Sequence, residues 1–274
     1  MIYLKLKSRG DAVALLQELL NEFNYRLVVD GIFNKATDQA VRDFQSRNKL
    51  VSDGEVYTKT WTKLINTAPV DISKMEQKFL KEQDMEDVAA ELGLDLAAVK
   101  AVNSVESSGR GFTIDGRTKI LFEGHVFWKQ LQARNIDPEP LVKGNEDVLY
   151  PKWTRKFYLG GKGEYERLDK AIALSKSKDV AEAAYASASY GLFQVMGYHY
   201  KSLGFDDIIA FVGTMRENEG EHLKVFARFV KVNNLVKYLK NRQWAEFALR
   251  YNGTGYKVNK YDEKLAKAYQ KYNV

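Results

Sequence analysis

Val13, Leu16, Leu20 and Phe23 recur at helical spacing after the turn Ser8-Arg9-Gly10-Asp11, which predicts an amphipathic helix. A turn at Asp30-Gly31 follows, then a second helix from about Lys35 to Asn48 with Ala40, Val41 and Phe44 inward. A second Asp-Gly pair, Asp53-Gly54, precedes a third helix around Thr58 to Ile65. The two Asp-Gly turns stand at matching places before helices, each with a threonine soon after (Thr37, Thr60), the pattern of a short internal repeat. Leu16, Phe44 and Trp61 are expected in the core, while the loop polars Asp30, Thr37 and Gln45 are candidates either for ligand contact or for helix capping. Periodicity lapses across NTAPVDIS, so a linker is expected over 67–74, dividing a small domain (1–66) from a larger one (75–274).

Beyond the linker the pattern is mostly helical. Asp84 or Asp87 can open a helix that runs through Leu92 and stops at Gly93; Asp95 then caps a helix that Gly109 stops. In that second helix Val99, Val102 and Glu106 share one face, so a carboxylate is aimed along apolar neighbours. Such a setting raises a carboxyl pKa and suits a catalytic acid; the alternative is an exposed acid at a helix end. Asp115-Gly116, between β-prone runs, predicts a hairpin, and Glu123 ends its second strand and opens the next helix. ASYGLFQVMGYHY is expected to put Gly191 and Gln194 on a helix–turn region, with Tyr190, Phe193, Tyr198 and Tyr200 divided between core and cleft. FALRYNGTGY ends a helix at Tyr251-Asn252-Gly253, and KYDEKLAKAYQKY is a basic helix with Leu265, Tyr269 and Tyr272 on one face.

The 274 residues suffice for one small and one medium domain, and the chain has no cysteine, so disulfides and thiolate metal sites are excluded. The formal charge of +6 favours anionic partners, but no dense basic tract marks a nucleic-acid surface. His125, His199 and His222 are widely spaced and no HExxH occurs, so no metal site is expected; nor does a G-x-S-x-G elbow. The amino terminus MIYLKLKSRGDAV lacks the apolar core of a signal peptide, and no run approaches the ~18 residues of a membrane span. Synthesis in the cytoplasm is the expectation.

Taken together, SRGDAVALLQELL, VDGIFNKATDQAVRDFQ and LVSDGEVYTKTWTKL resemble the three-helix peptidoglycan-binding domain of cell-wall enzymes over residues 3–66. Asn34 and Tyr57 stand where that pattern has glycine. VESSG, GLFQ and YNGTG resemble the Glu-Ser, Gly-Leu-x-Gln and Tyr-Asn-x-Gly signatures of goose-type lysozymes and lytic transglycosylases. With GRTKILFEGHVFW between them, they look more specifically like the N-acetylmuramidase domain of phage endolysins, over about 75–272. The resemblance implies a mainly α protein: a small three-helix wall-binding domain plus a larger lysozyme-like α+β domain with a short β-hairpin.

It further implies cleavage of the bond from N-acetylmuramic acid to N-acetylglucosamine, with Glu106 as general acid and Tyr251 hydrogen-bonding near it. Glu123 is the best candidate for the second carboxylate, the alternative being an acid at a helix start stabilised by the dipole alone. Gln194, Asn252, Tyr190, Phe193 and Asp115 are substrate-binding candidates, and Asp30, Thr37 and Gln45 wall-binding ones. Neither metal nor organic cofactor is implied. Peptidoglycan is the expected partner, nucleic acid is not, and the protein is expected as a monomer. The basic C-terminal helix is open to lipopolysaccharide or a membrane surface, or else to simple packing. The wall would be reached from the host cytoplasm after a separate partner permeabilises the membrane. The alternatives are a lytic transglycosylase acting on the same bond and a non-catalytic wall-binding phage structural protein.

Overall fold

A computed structural model describes residues 2–70, 77–107 and 109–273. Residues 71–74 of the expected linker lie outside the described residues. The chain folds as two compact units, Met1–Glu76 with Phe112–Ala188, and Gln77–Gly111 with Ser189–Val274. It is mainly helical, with short strands.

Three helices open the first unit: α1 (Asp11–Asn21), α2 (Lys35–Arg47) and α3 (Thr58–Thr67). Their inward faces bury Val13, Leu16, Leu20, Val41, Phe44, Trp61 and Leu64 together, as the periodicity predicts. The internal repeat is held by a device the pattern did not reveal. The Gln17 amide on α1 donates to Asp30 Oδ1 (2.9 Å), Ile32 O (3.1 Å) and Thr37 Oγ1 (3.2 Å), and its oxygen accepts from Gly31 N (2.9 Å). Gln45 on α2 does the same in the second copy, donating to Asp53 Oδ1 (3.0 Å), Glu55 O (2.9 Å) and Thr60 Oγ1 (3.2 Å), and accepting from Gly54 N (3.0 Å). Each Asp-Gly turn is therefore pinned from inside by a buried glutamine, which satisfies groups that would be costly to leave unpaired.

In chain order two helices of the second unit intervene, α4 (Glu82–Leu92) and α5 (Leu96–Glu106). The first unit resumes with the turn at Asp115-Gly116, closed by a single antiparallel bridge, Phe112 to Thr118, and with β1 (Ile120–Phe122). There follow α6 (Gly124–Gln132), α7 (Glu139–Val142), α8 (Lys162–Ile172) and α9 (Lys178–Ala186). This segment packs on the three-helix module. Ile114 joins the module's core, and its backbone N–H reaches Glu18 Oε2 at 3.2 Å. Val29 N–H donates to Leu159 O at 2.7 Å, and Lys162 pairs with the nearly buried Glu22. Gly160, at φ +69°, admits Val29 O so closely that a Cβ would lie 2.3 Å from it.

In the second unit, Lys81 precedes α4 and its N–H is capped by Asp84, so Asp84 works from inside the first turn instead of opening the helix. Gly93 ends α4 in the left-handed region, and Asp95 caps α5 by accepting from Ala98 N at 2.7 Å. Past Ala188 come β2 (Ala188–Tyr190), β3 (Val195–Met196), α10 (Ile208–Met215), α11 (Glu219–Val232), α12 (Val236–Lys240), α13 (Trp244–Asn252) and α14 (Tyr261–Tyr272). The helix–turn expected around Gly191 and Gln194 is instead a β-hairpin, with Ser189 opposite Met196 and Tyr190 opposite Val195. A four-residue turn with Gly191 at φ +74° and Gln194 at φ +50° reverses the chain where a helix would have needed both to be negative. The small residues Ala97, Ala98 and Ala101 of α5 let α14 approach closely, burying Tyr269 against them.

Candidate active site

Glu106 is the last residue of α5, directly after a stretch whose Val99 and Val102 are buried. Burial pushes its carboxyl up to about 7, against the pull of an Asn252 hydrogen bond and the Lys264 charge. Asn252 closes α13 and donates Nδ2–H to Glu106 Oε1 at 3.0 Å. The hydrogen bond expected from Tyr251 thus comes from its neighbour. Tyr251 packs among Phe226, Phe229 and Phe247, with ring centroids 5.4–5.9 Å away, and the Glu106 charge adds to burial in raising its hydroxyl pKa. Adjacent residues on a helix point about 100° apart, so one can face the acid while the other fills the core. Tyr261 and Lys264, on α14, also feel the Glu106 charge or act on it; sequence reasoning missed both. The signal available was their i, i+3 spacing, off the apolar stripe of that helix.

Gln194 is held by its own turn: its Nε2 donates to Gly191 O at 2.8 Å and its Oε1 accepts from Ser189 Oγ at 2.8 Å. That makes it a builder of the turn before it is a contact for sugar. Tyr190 and Phe193 are buried, the first edge-on to Phe211 and the second stacked on Phe226, so neither is a cleft residue. Tyr198, 41% exposed, is the one of the four aromatics that reaches the surface. It packs on His199, which meets Phe229, which in turn meets Tyr251.

His222 braces the same turn. Leu192 N–H donates to Nδ1 at 3.1 Å, so the proton sits on Nε2 and is given to Met215 O at 2.7 Å. Burial pushes its pKa down to about 4, which keeps the ring neutral. A Cβ on Gly191 would lie 2.7 Å from Nδ1, and one on Gly111 only 2.4 Å. Glu219 anchors the backbone beyond the acid by accepting from Gly111 N at 2.6 Å.

Glu123 belongs to the first unit and stands at the N-terminus of α6, yet its side chain makes no cap. It accepts a hydrogen bond from the Tyr158 hydroxyl and lies 3.3 Å from His125 Nδ1, with both Glu123 and His125 more than four-fifths covered. Gly124 N–H is served by Tyr150 OH at 3.3 Å, leaving the carboxylate free of helix duty. Tyr158 and His125 were not foreseen in this role. Asp115 is otherwise employed. Burial would raise its pKa, but Thr113, Arg117 at 2.8 Å and Lys162 at 3.9 Å together hold it below the usual range. Its oxygens lock the turn, so a sugar would have to compete with two cations for them.

The wall-binding candidates are likewise structural. Thr37 and Gln45 are 0% and 1% exposed, and Asp30 receives Gln17 and Ile32 N–H. Thr37 and Gln45 lie on α2, which carries them inward, and Asp30 is held by the turn it belongs to. A surface groove on the same module runs along Tyr25, Arg26, Asn34, Gln39, Asp43 and Arg47.

A family model described as N-acetylmuramidase matches residues 95–273, and one described as a putative peptidoglycan binding domain matches residues 9–64. Among solved structures, the chain is similar to the crystal structure of the Burkholderia AP3 phage endolysin, with 38% identity, 99% of each chain covered and a TM-score of 0.67. No curated protein matches.

Proposed function

The chain belongs to the N-acetylmuramidase family, and from that premise we propose that Glu106 is the acid that protonates the departing glycosidic oxygen. The protein is a peptidoglycan hydrolase of the lysozyme type, an endolysin that cuts between N-acetylmuramic acid and N-acetylglucosamine. The observation carrying the assignment of the acid is the burial of Glu106 at the end of α5, which keeps a large share of it protonated near neutral pH. With Asn252 on Oε1, the proton resides on Oε2 and is the one given away. As the bond to the leaving oxygen breaks, Glu106 becomes an anion, which the Asn252 N–H and the Lys264 charge stabilise. Tyr251 supports this by fixing the end of α13 among phenylalanine rings.

Glycosidic cleavage also needs a partner for the positive charge that develops on the sugar, or a base for the incoming water. Glu123 is the carboxylate assigned to that part, oriented by the hydrogen bond from Tyr158 with His125 close beside it. Gln194 acts through the hairpin turn it fixes, and Tyr198 offers a ring face to a sugar. Residues 1–66 serve as the wall anchor, joined by the linker at 67–74 to a catalytic domain over 75–274; its contact face is the groove beside Tyr25 and Arg26, which Thr37 also lines, while Asp30 and Gln45 build the turns. The anchor raises the local concentration of substrate without adding chemistry. The enzyme acts as a single chain, made in the host cytoplasm and admitted to the wall once the membrane is permeabilised.

The decisive experiment is Glu106→Gln. Turbidity loss of purified murein should stop while co-sedimentation with it persists, and mass spectrometry of the wild-type digest should find reducing muramic-acid ends. Lysis by the glutamine variant removes Glu106 from the mechanism; anhydro ends assign the chain to transglycosylation.

A further inference from the structure

A groove in the second unit is lined by the two residues that precede Glu106, and of its lining Lys264 alone enters the chemistry above, through its charge on the acid. Ser104 and Val105, the two residues before the acid, form one wall, and Lys264, Lys267, Ala268, Gln270 and Lys271 of α14 form the other. It holds about 770 Å3, within the ~300–1,000 Å3 of small-ligand sites. Lys264, Lys267 and Lys271 follow helical i, i+3, i+7 spacing and so form one row. All three are exposed; Lys264 acts on Glu106 through its charge, and among the described residues no ion pair is formed by Lys267 or Lys271. Val105 and Ala268 give the lining a small apolar component.

From this we infer that the lysine row binds the acidic peptide branch carried by the glycan whose glycosidic bond reaches Glu106. Seven residues of helix advance about 10 Å, the length of about three extended peptide residues. Three ammonium groups along that length suit a short peptide with alternating carboxylates and small apolar side chains. A lipid surface fits less well. In the apolar stripe of α14, Leu265 is buried and Tyr269 is buried against α5, so neither is open to a bilayer. The stripe of this helix is packed, and its lysines are outward.

The proposal rests on the muramidase reading for its substrate, but its test does not need turnover. A synthetic alanine–glutamate–diamino-acid peptide with free carboxylates is titrated into full-length protein carrying Glu106→Gln, by NMR or calorimetry. Adding Lys267→Glu and Lys271→Glu should weaken binding on the order of tenfold, the scale of exchanging two exposed attractions for repulsions. Amidating the peptide carboxylates should weaken it similarly. Lys267→Gln with Lys271→Gln, checked by circular dichroism, guards against a folding defect and should give a smaller loss in the same direction. In the active chain, the ratio of turnover on peptide-bearing to peptide-stripped glycan should fall with the same substitutions. Peptide affinity indifferent to these changes overturns the inference. So does a charge-reversed chain that loses binding to anionic vesicles or lipopolysaccharide while keeping the peptide. Lysis by Glu106→Gln would strike the catalytic reading alone, since the titration reports the groove directly.

Discussion

Replacing Glu106 by glutamine should make the protein more stable at alkaline pH as surely as it makes it inactive. Below about pH 4.5, the ordinary value for a glutamate, the side chain is protonated both folded and unfolded, and the two proteins should unfold alike. Between 4.5 and about 7 the unfolded chain ionises while the folded one resists, so the wild type loses stability as pH rises. Above 7 the ionised carboxylate is buried at full cost. The interval corresponds to about 3 kcal/mol at the upper end, or roughly 5–10 °C in melting temperature for a domain of this size. Glutamine avoids the charge and keeps the contact, because its amide oxygen can accept from Asn252 as the carboxylate does. Thermal unfolding of both proteins from pH 4 to 9 measures the difference directly. A gap that stays constant across that range, or a variant less stable at pH 8, would refute the claim that the fold desolvates this carboxylate, and with it the argument for a retained proton.

Two further outcomes follow from the same geometry. Asn252→Ala removes a hydrogen bond that favours the ionised acid, so the alkaline limb of the activity profile should move to higher pH, by about one pH unit at most, while kcat drops because the proton is no longer aimed; a limb that moves down contradicts the assignment. Gln45→Ala leaves Gly54 N–H and its neighbours without their buried partner and should cost about 2–3 kcal/mol, read by urea unfolding, with murein co-sedimentation unchanged where the module remains folded.

Local rules recover much of the architecture because they act over one or two turns of helix. Asp95 capping α5, Gly93 stopping α4 and the paired Asp-Gly turns are each decided by nearby atoms, and they are where the spacing puts them. Gln17 and Gln45 were hidden because a polar letter says nothing about which way its helix faces once tertiary packing decides. The order of Tyr251 and Asn252 was hidden for a similar reason: adjacent at a helix end, they are told apart only by what α11 places beside them. Gln194 fell to the wrong element because aromatic-rich short runs fit helix and strand alike, and the glycine that breaks the tie does so through a positive φ. The union of residues 112–188 with the first three helices depends on contacts between residues about a hundred positions apart, beyond the range of any periodicity.

That union changes what exchanging the anchor would mean. A chimera spliced at the linker would transplant three helices but abandon the glycine, Gly160, on which their Val29 nests, the isoleucine lent to their interior and the lysine that neutralises Glu22. Its makers would inherit a greasy scar on one partner and a stranded acid on the other. The natural cassette is larger than the stretch of sequence that advertises it.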